Sequence, residues 1–337
     1  MHEYWTLSPI PNMKQMKYLA LLFMLLIELT ACQNDKLDIP DTGRKIVING
    51  LITTDSLLNL KLSKSAYYND MPFDYLDLDN AKAYFYEDNI LIDSLHPVEH
   101  WPRWEFVFYQ SNYQSRNVFP KSARKYNIKV MAHGYPDATS SSIVPELVRI
   151  IKLDTSRILV GPDPYHPYQN NVLFLCNINF SDPANESNYY MVTVSRNQYF
   201  SQITPNVRFY SQDPIIEERL GNFSNETYAL AFTDKVINGQ NYNLKLSVYG
   251  SDFGMPFRDD RGTIDGVPDT TYHKKVVYFS LYSITEDYYR YIQTLNRYKK
   301  NYGNPLTEPV LIYSNITGGY GIFGAAAVSS DSIVFHY

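Results

Sequence analysis

Cysteine is scarce in this chain. Two residues in 337 exclude a disulfide framework, and no Cys/His zinc spacing is formed from them. A basic excess is missing too: 30 Lys and Arg stand against 35 Asp and Glu, a net charge of −5, so no nucleic-acid partner is expected. Glycine and proline, at 15 and 19, are too few for collagen-like or low-complexity sequence. With 45% hydrophobic and 19% charged residues the chain is not of the disordered class either. Catalytic spacings are absent: no Gly-x-Ser-x-Gly elbow, phosphate loop or dinucleotide fingerprint occurs, and no cofactor is implied. Tyrosine, by contrast, is plentiful. Its 31 copies outnumber the 17 Phe and 3 Trp together, so most of the aromatic surface carries a hydroxyl that needs water or a partner.

Lys14 and Lys17 precede an apolar run from Tyr18 to Ala31 that only Glu28 interrupts. It is short for a bilayer span, and a basic start, a short apolar stretch and a small residue before a break describe an export signal. Leu29-Thr30-Ala31-Cys32 resembles the lipobox of bacterial lipoproteins, in which cleavage precedes the cysteine and its thiol receives a diacylglycerol. Residues 1–31 are therefore expected to be a signal peptide and Cys32 the lipidation site, the other reading being that Cys32 merely ends an ordinary signal peptide or a poor membrane helix. Two or three acyl chains, at about 0.8 kcal/mol per buried methylene, would hold the protein on a membrane. Residues 32–44, polar with Pro40 and Gly43, read as a flexible tether. The acid that comes after the cysteine resembles export signals of Bacteroidota surface lipoproteins, which implies the outer membrane, on its periplasmic or cell-surface face. Cys176, inside Val172–Phe180, reads as a small buried strand residue.

From Lys45 onward the dominant signal is period-2 alternation. Leu58, Leu60 and Leu62 alternate with Asn59, Lys61 and Ser63, and Tyr126, Ile128 and Val130 with Asn127, Lys129 and Met131. Further strands are expected at 45–49, 81–86, 90–93, 104–109 and 140–144. The chain is expected to be mainly β, with two immunoglobulin- or transthyretin-like sandwich domains: an N-terminal one over 45–147 and a C-terminal β-rich one over 148–337. In the second, 171–180 with 188–199, and 228–232 with 241–249, read as hairpins, the latter about Asn238-Gly239. Tyr126-Asn-Ile-Lys-Val130 and Tyr242-Asn-Leu-Lys-Leu246 share a pattern at the head of a strand, read either as a tyrosine expected to pin a sandwich corner in two domains of similar topology or as the ordinary look of a wet-faced strand. One amphipathic helix, about 284–302, is expected from a capping box at Ser283-Ile-Thr-Glu286 and a stripe of Tyr288, Ile292, Leu295 and Tyr302.

The tail is the most distinctive segment: Asn304-Pro305, a strand at 310–316 reaching Ser314-Asn315-Ile316, and a Gly-rich turn, Gly318-Gly-Tyr-Gly321-Ile-Phe323-Gly324. With the preceding helix, Val47-Ile-Asn-Gly-Leu-Ile-Thr53 and Leu60-Lys-Leu-Ser63, it resembles a Bacteroidota lipoprotein family known as domain of unknown function 4249. The resemblance implies an exported, lipid-anchored protein working beside a TonB-dependent outer-membrane transporter. It supplies no catalytic residues, and Asn304, Pro305, Asn315, Gly321, Phe323 and Gly324 are expected to be structural.

Six of the seven histidines, His96, His100, His133, His166, His273 and His336, share no ligand spacing, and no metal site is expected of them. Two acidic loops, Asp70 to Asp79 and Arg258 to Asp269, read as solvated loops or, alternatively, as oxygen donors for calcium. Loop aromatics at Trp101, Trp104, Tyr165 and Tyr168 are the candidates for a contact surface. These features predict a non-catalytic binding or accessory module of unknown ligand. The alternatives are a surface hydrolase acting on glycan or peptide, and a cell-surface adhesin.

Overall fold

The computed structural model describes residues 17–18, 43–66, 76–78, 80–98, 111–162, 170–196, 207–216, 226–227, 229–253, 263–264, 267–268, 274–301, 304 and 307–336. Met1–Gly43 forms one contact unit and Arg44–Tyr337 another, and all the strands belong to the second.

Strands β1 (Ile46–Thr53), β2 (Asn59–Lys64), β3 (Lys82–Glu87), β4 (Ile90–Pro97), β5 (Tyr113–Gln114), β6 (Lys125–Met131) and β7 (Ala138–Ile143) come first. After them come β8 (Ile150–Pro162), β9 (Asn170–Ser181), β10 (Tyr189–Ser195), β11 (Phe209–Tyr210), β12 (Glu226–Thr227), β13 (Ala229–Thr233) and β14 (Asn241–Tyr249). A short pair, β15 (Thr263–Ile264) and β16 (Val267–Pro268), precedes β17 (Lys274–Ile284), helix α1 (Glu286–Asn301) and β18 (Tyr320–His336). The protein is mainly β with one helix near its C-terminus, as alternation and the helical stripe predict.

An eleven-stranded sheet runs β13-β10-β17-β18-β1-β2-β5-β4-β3-β6-β7, and a five-stranded sheet runs β12-β11-β14-β9-β8. The parallel β1–β18 pair, Val47 opposite Tyr320 through Thr53 opposite Ala326, joins the two ends of the folded unit. Two main cores lie against the large sheet. One gathers Ile46, Leu60, Phe85, Tyr126, Ile128 and Val144 with Phe323, Ala325 and Ala327; the other gathers Phe174, Phe180, Tyr190, Phe232, Leu246 and Phe279 with Phe335. Alternation along β18 therefore feeds the first core with Phe323, Ala325 and Ala327, and the second with Phe335. A third cluster, Met191, Tyr282, Ala326 and Tyr289, seats α1 on the opposite face of the sheet.

Several local expectations are corrected by this topology. Neither expected hairpin exists. β9 and β14 lie in the small sheet and pair with each other, whereas β10 and β13 lie in the large sheet and pair with each other. Loops 182–188 and 234–240 are arches between layers, and they are held together by side chains: Asp182 accepts from Gly239 N–H, and Asp234 from Asn188 N–H and Asn238 Nδ2. The capping box does not form either. Ser283 is still in β17, where its Oγ accepts from Val148 N–H, and Thr285 is the residue whose carbonyl takes the first helical bond, from Tyr289 N–H. The expected strand at 310–316 is an extended strap with no ladder partner among the described residues before Thr317, which bridges Thr139. The glycine-rich turn ends in the first residues of β18, a 17-residue strand.

Candidate functional site

Residues 307–317 run back along α1, and there the tail's sequence features converge. Thr307 Oγ1 reaches the Asn301 carbonyl at 3.4 Å, Tyr313 N–H donates to Thr294 Oγ1 at 2.9 Å, and Tyr313 OH donates to the Asp287 carboxylate. Arg290 lies over the Tyr313 ring, 5.9 Å from its centroid. The strap is thus tied at both ends of the helix and in its middle.

Asn315 makes the tightest connection. Its Oδ1 accepts from Phe323 N–H at 3.0 Å, its Nδ2 donates to Phe323 C=O at 3.0 Å, and Nδ2 also reaches Asp287 Oδ2 at 3.2 Å. β17 pairs with β18 only from Ala326 onward, so the side-chain amide of Asn315 replaces the missing strand beside Phe323. One step along, Thr285 does the same for Ala325 through its N–H and Oγ1. Two glycines meet close approaches here. At Gly321, with φ +103°, a Cβ would stand 2.1 Å from the Ile48 carbonyl oxygen across the parallel pair. At Gly324 it would stand 2.6 Å from the Tyr288 ring. Phe323 is fully buried, and Asn304 N–H donates to the Asn301 carbonyl beyond the helix end. Pro305 lies outside the described residues.

Three tyrosine–aspartate pairs were not visible in the sequence. Tyr190 OH donates to Asp182, Tyr242 OH to Asp213, and Tyr313 OH to Asp287. Burial raises the phenols of Tyr190 and Tyr242 above the ordinary tyrosine range, and the facing carboxylates raise them further. Burial likewise pushes the Asp182 carboxyl up, against the lowering effect of the hydrogen bonds from Tyr190 and Gly239. The Tyr126 hydroxyl accepts from Lys121 N–H, five residues upstream, so the two echoed tyrosines use their hydroxyls differently.

Cys32, Trp101, Trp104, Tyr165 and Tyr168 lie outside the described residues, as do Asp70, Asp74, Asp79, His100, His166 and His273. Asp77 is paired with Lys61 at 2.7 Å. Cys176 is buried, and desolvation pushes its thiol up to about 12, which leaves almost no thiolate at neutral pH. Among the described residues no group of three His, Cys, Asp or Glu side chains could hold a metal ion.

Residues 35–332 match the family described as Domain of unknown function (DUF4249). No curated protein matches the chain. Among solved structures it is similar to one titled "Biofilm associated protein - BSP domain", at 7% identity and a TM-score of 0.20, over 86% of this chain and 58% of that one. At that score the likeness carries no argument about fold or function.

Proposed function

The chain belongs to the DUF4249 family, and we propose that it is an exported lipoprotein, held on the outer membrane through Cys32, whose folded unit acts as a non-catalytic binding module beside a TonB-dependent transporter. The observation that carries the reading is the order of segments: Leu29-Thr30-Ala31-Cys32, then eleven residues to Gly43, then a folded unit that begins at Arg44. That order suits a lipid at the cysteine joined by a short polar tether to a folded β unit. The engagement of the chemistry-bearing side chains supports it from another side. Asp182, Asp213 and Asp287 are held in hydrogen bonds that tie loops and strands together, and Cys176 is packed in a core.

Fractionation tests the anchor and the partner together. Wild type is expected in the outer-membrane fraction, and gentle detergent extraction should retain a large β-barrel protein with it. Cys32→Ala should release the chain from the membrane and lose that barrel. A wild-type chain that is soluble, or one that is extracted reproducibly alone, contradicts the proposal.

A further inference from the structure

Tyr126, Tyr190 and Tyr242 use their hydroxyls inside the fold, but Tyr84 and Tyr86 do not. Both are half-buried residues of β3, and among the described residues no hydrogen bond reaches either hydroxyl. Their strand neighbours Ala83 and Phe85 are fully buried in the first core, so the two tyrosines stand on the opposite, solvent side of the large sheet. Two residues apart on one strand, their Cβ atoms are about 7 Å from one another. Register extends this face sideways. Tyr84 lies opposite Lys129 of β6 and Ser94 of β4, and Tyr86 lies opposite Asn127 and Leu91. Beyond β6, Asn127 and Lys129 lie opposite Ser141 and Thr139 of β7.

The same face is cationic. Lys82 comes two residues before Tyr84 and Lys125 two before Asn127, so alternation puts both on the solvent side, about 20 Å apart along the strands. Both are exposed, and neither has an ion-pair partner among the described residues. Lys129 is paired with Asp137 at 3.0 Å. The other nearby acids are engaged or lie elsewhere: Arg124 holds Glu87 and Asp88, and Asp93 is opposite Phe85 on the core side. The solvent side of β3, β6 and β7 itself carries no acid. Its exposed apolar residues stand at the corners, Met131 opposite Lys82, Ile143 opposite Lys125 and Leu91 beyond Tyr86, so they form no wedge for a bilayer. A second copy laid on it would bring two cationic faces together.

We propose that the solvent face of β3, β6 and β7 binds an acidic polysaccharide, a chain of uronic acid units laid over Tyr84 and Tyr86. The C–H groups of a pyranose ring pack on the electron-rich face of a phenol ring, a contact that needs no pocket. Lys82 and Lys125, one toward each end, supply charge-assisted bonds to carboxylates. The phenol hydroxyls, Ser141 and Asn127 are neutral partners for sugar hydroxyls; Asn127 Nδ2 donates to Asn89 Oδ1 at 3.2 Å, which leaves its own Oδ1 to accept. An acidic peptide would use the lysines and leave the two rings without a matching partner. The inference rests on the reading of the folded unit as a binding module, but not on acylation of Cys32 or on a transporter.

Affinity electrophoresis of the purified full chain tests it, in gels holding polygalacturonate, alginate, neutral dextran or polyglutamate. At least one of the two uronate polymers should retard the protein, with dextran and polyglutamate binding at least ~tenfold more weakly. Lys82→Gln with Lys125→Gln should weaken uronate binding at least ~tenfold, and so should Tyr84→Leu with Tyr86→Leu, which keeps apolar bulk on the sheet but removes the rings. Tyr84→Phe with Tyr86→Phe should retain most of the binding, and circular dichroism should show every variant folded. The proposal is overturned if neither uronate polymer retards the chain, if polyglutamate binds as well as they do, or if the leucine pair binds like wild type. Binding to phosphatidylglycerol vesicles that the leucine pair abolishes would assign the face to lipid, and a dimer that the leucine pair dissociates would assign it to a second copy; either result overturns the glycan. Failure here leaves the anchor standing, because fractionation of Cys32→Ala reports on the lipid and not on this face.

Discussion

Replacing Asn315 with alanine removes a surrogate strand. The N–H and C=O of Phe323, a fully buried residue, each lose a 3.0 Å bond, and Asp287 loses one of its two donors. A buried backbone group left unpaired costs about 1–3 kcal/mol, and Asn315 is half-buried, so water recovers part of that. The expected loss is about 2–4 kcal/mol. For a chain of this size each kcal/mol shifts the midpoint by roughly 2 °C, so thermal unfolding should move down by about 4–8 °C. Urea unfolding followed by circular dichroism gives the free energy directly. Asn315→Asp is the informative companion: it keeps an acceptor for Phe323 N–H but sets a carboxylate against Asp287 and the Phe323 carbonyl. It should be at least as destabilised as the alanine variant at neutral pH, and partly restored in acid. A loss below about 0.5 kcal/mol for Asn315→Ala, the range of ordinary surface changes, would refute the idea that this amide closes the strand.

Gly321→Ala combines positive φ with a Cβ 2.1 Å from the Ile48 oxygen and should cost more than about 3 kcal/mol, whereas Gly134→Ala, with φ +84° and open space around it, should cost about 1–2 kcal/mol; equal losses in urea would contradict the β1–β18 close approach. Because burial raises the folded-state carboxyl of Asp182, its contribution to stability is fully present below the unfolded value of about 3.9 and is lost as pH rises through the higher native value. Carbon-13 NMR titration should therefore find the Asp182 carboxyl titrating above that unfolded value, and higher still in Tyr190→Phe, where a donor to the carboxylate is gone; a midpoint at or below about 3.9 would overturn the sign.

Alternation made much of the β character legible. Leu58, Leu60 and Leu62 are all fully buried, and so are Tyr126 and Val130, because period 2 reports which face of a strand meets a core. It does not report the neighbour. The loops 182–188 and 234–240 have the composition of hairpin turns, yet they carry the chain between sheets, because the aspartates that lock them act on residues up to 57 positions away. The parallel pairing of Val47 with Tyr320 has no local signature either, so the tail glycines read as a turn when they are the entry to the seam that closes the fold. Ser283 looked like a helix cap because spacing alone cannot tell that β17 continues to Ile284. The tyrosine excess was visible as a need for hydroxyl partners, but Asp182, Asp213 and Asp287 as those partners emerge only from tertiary contacts.

Membrane anchoring, and with it the proposed function, turns on Cys32. Mass spectrometry of the N-terminal peptide from protein purified out of membranes tests it directly. The expected peptide begins at Cys32 and carries a diacylglycerol on its thiol. An unmodified peptide that runs through Ala31 and Cys32 would contradict lipidation at this cysteine.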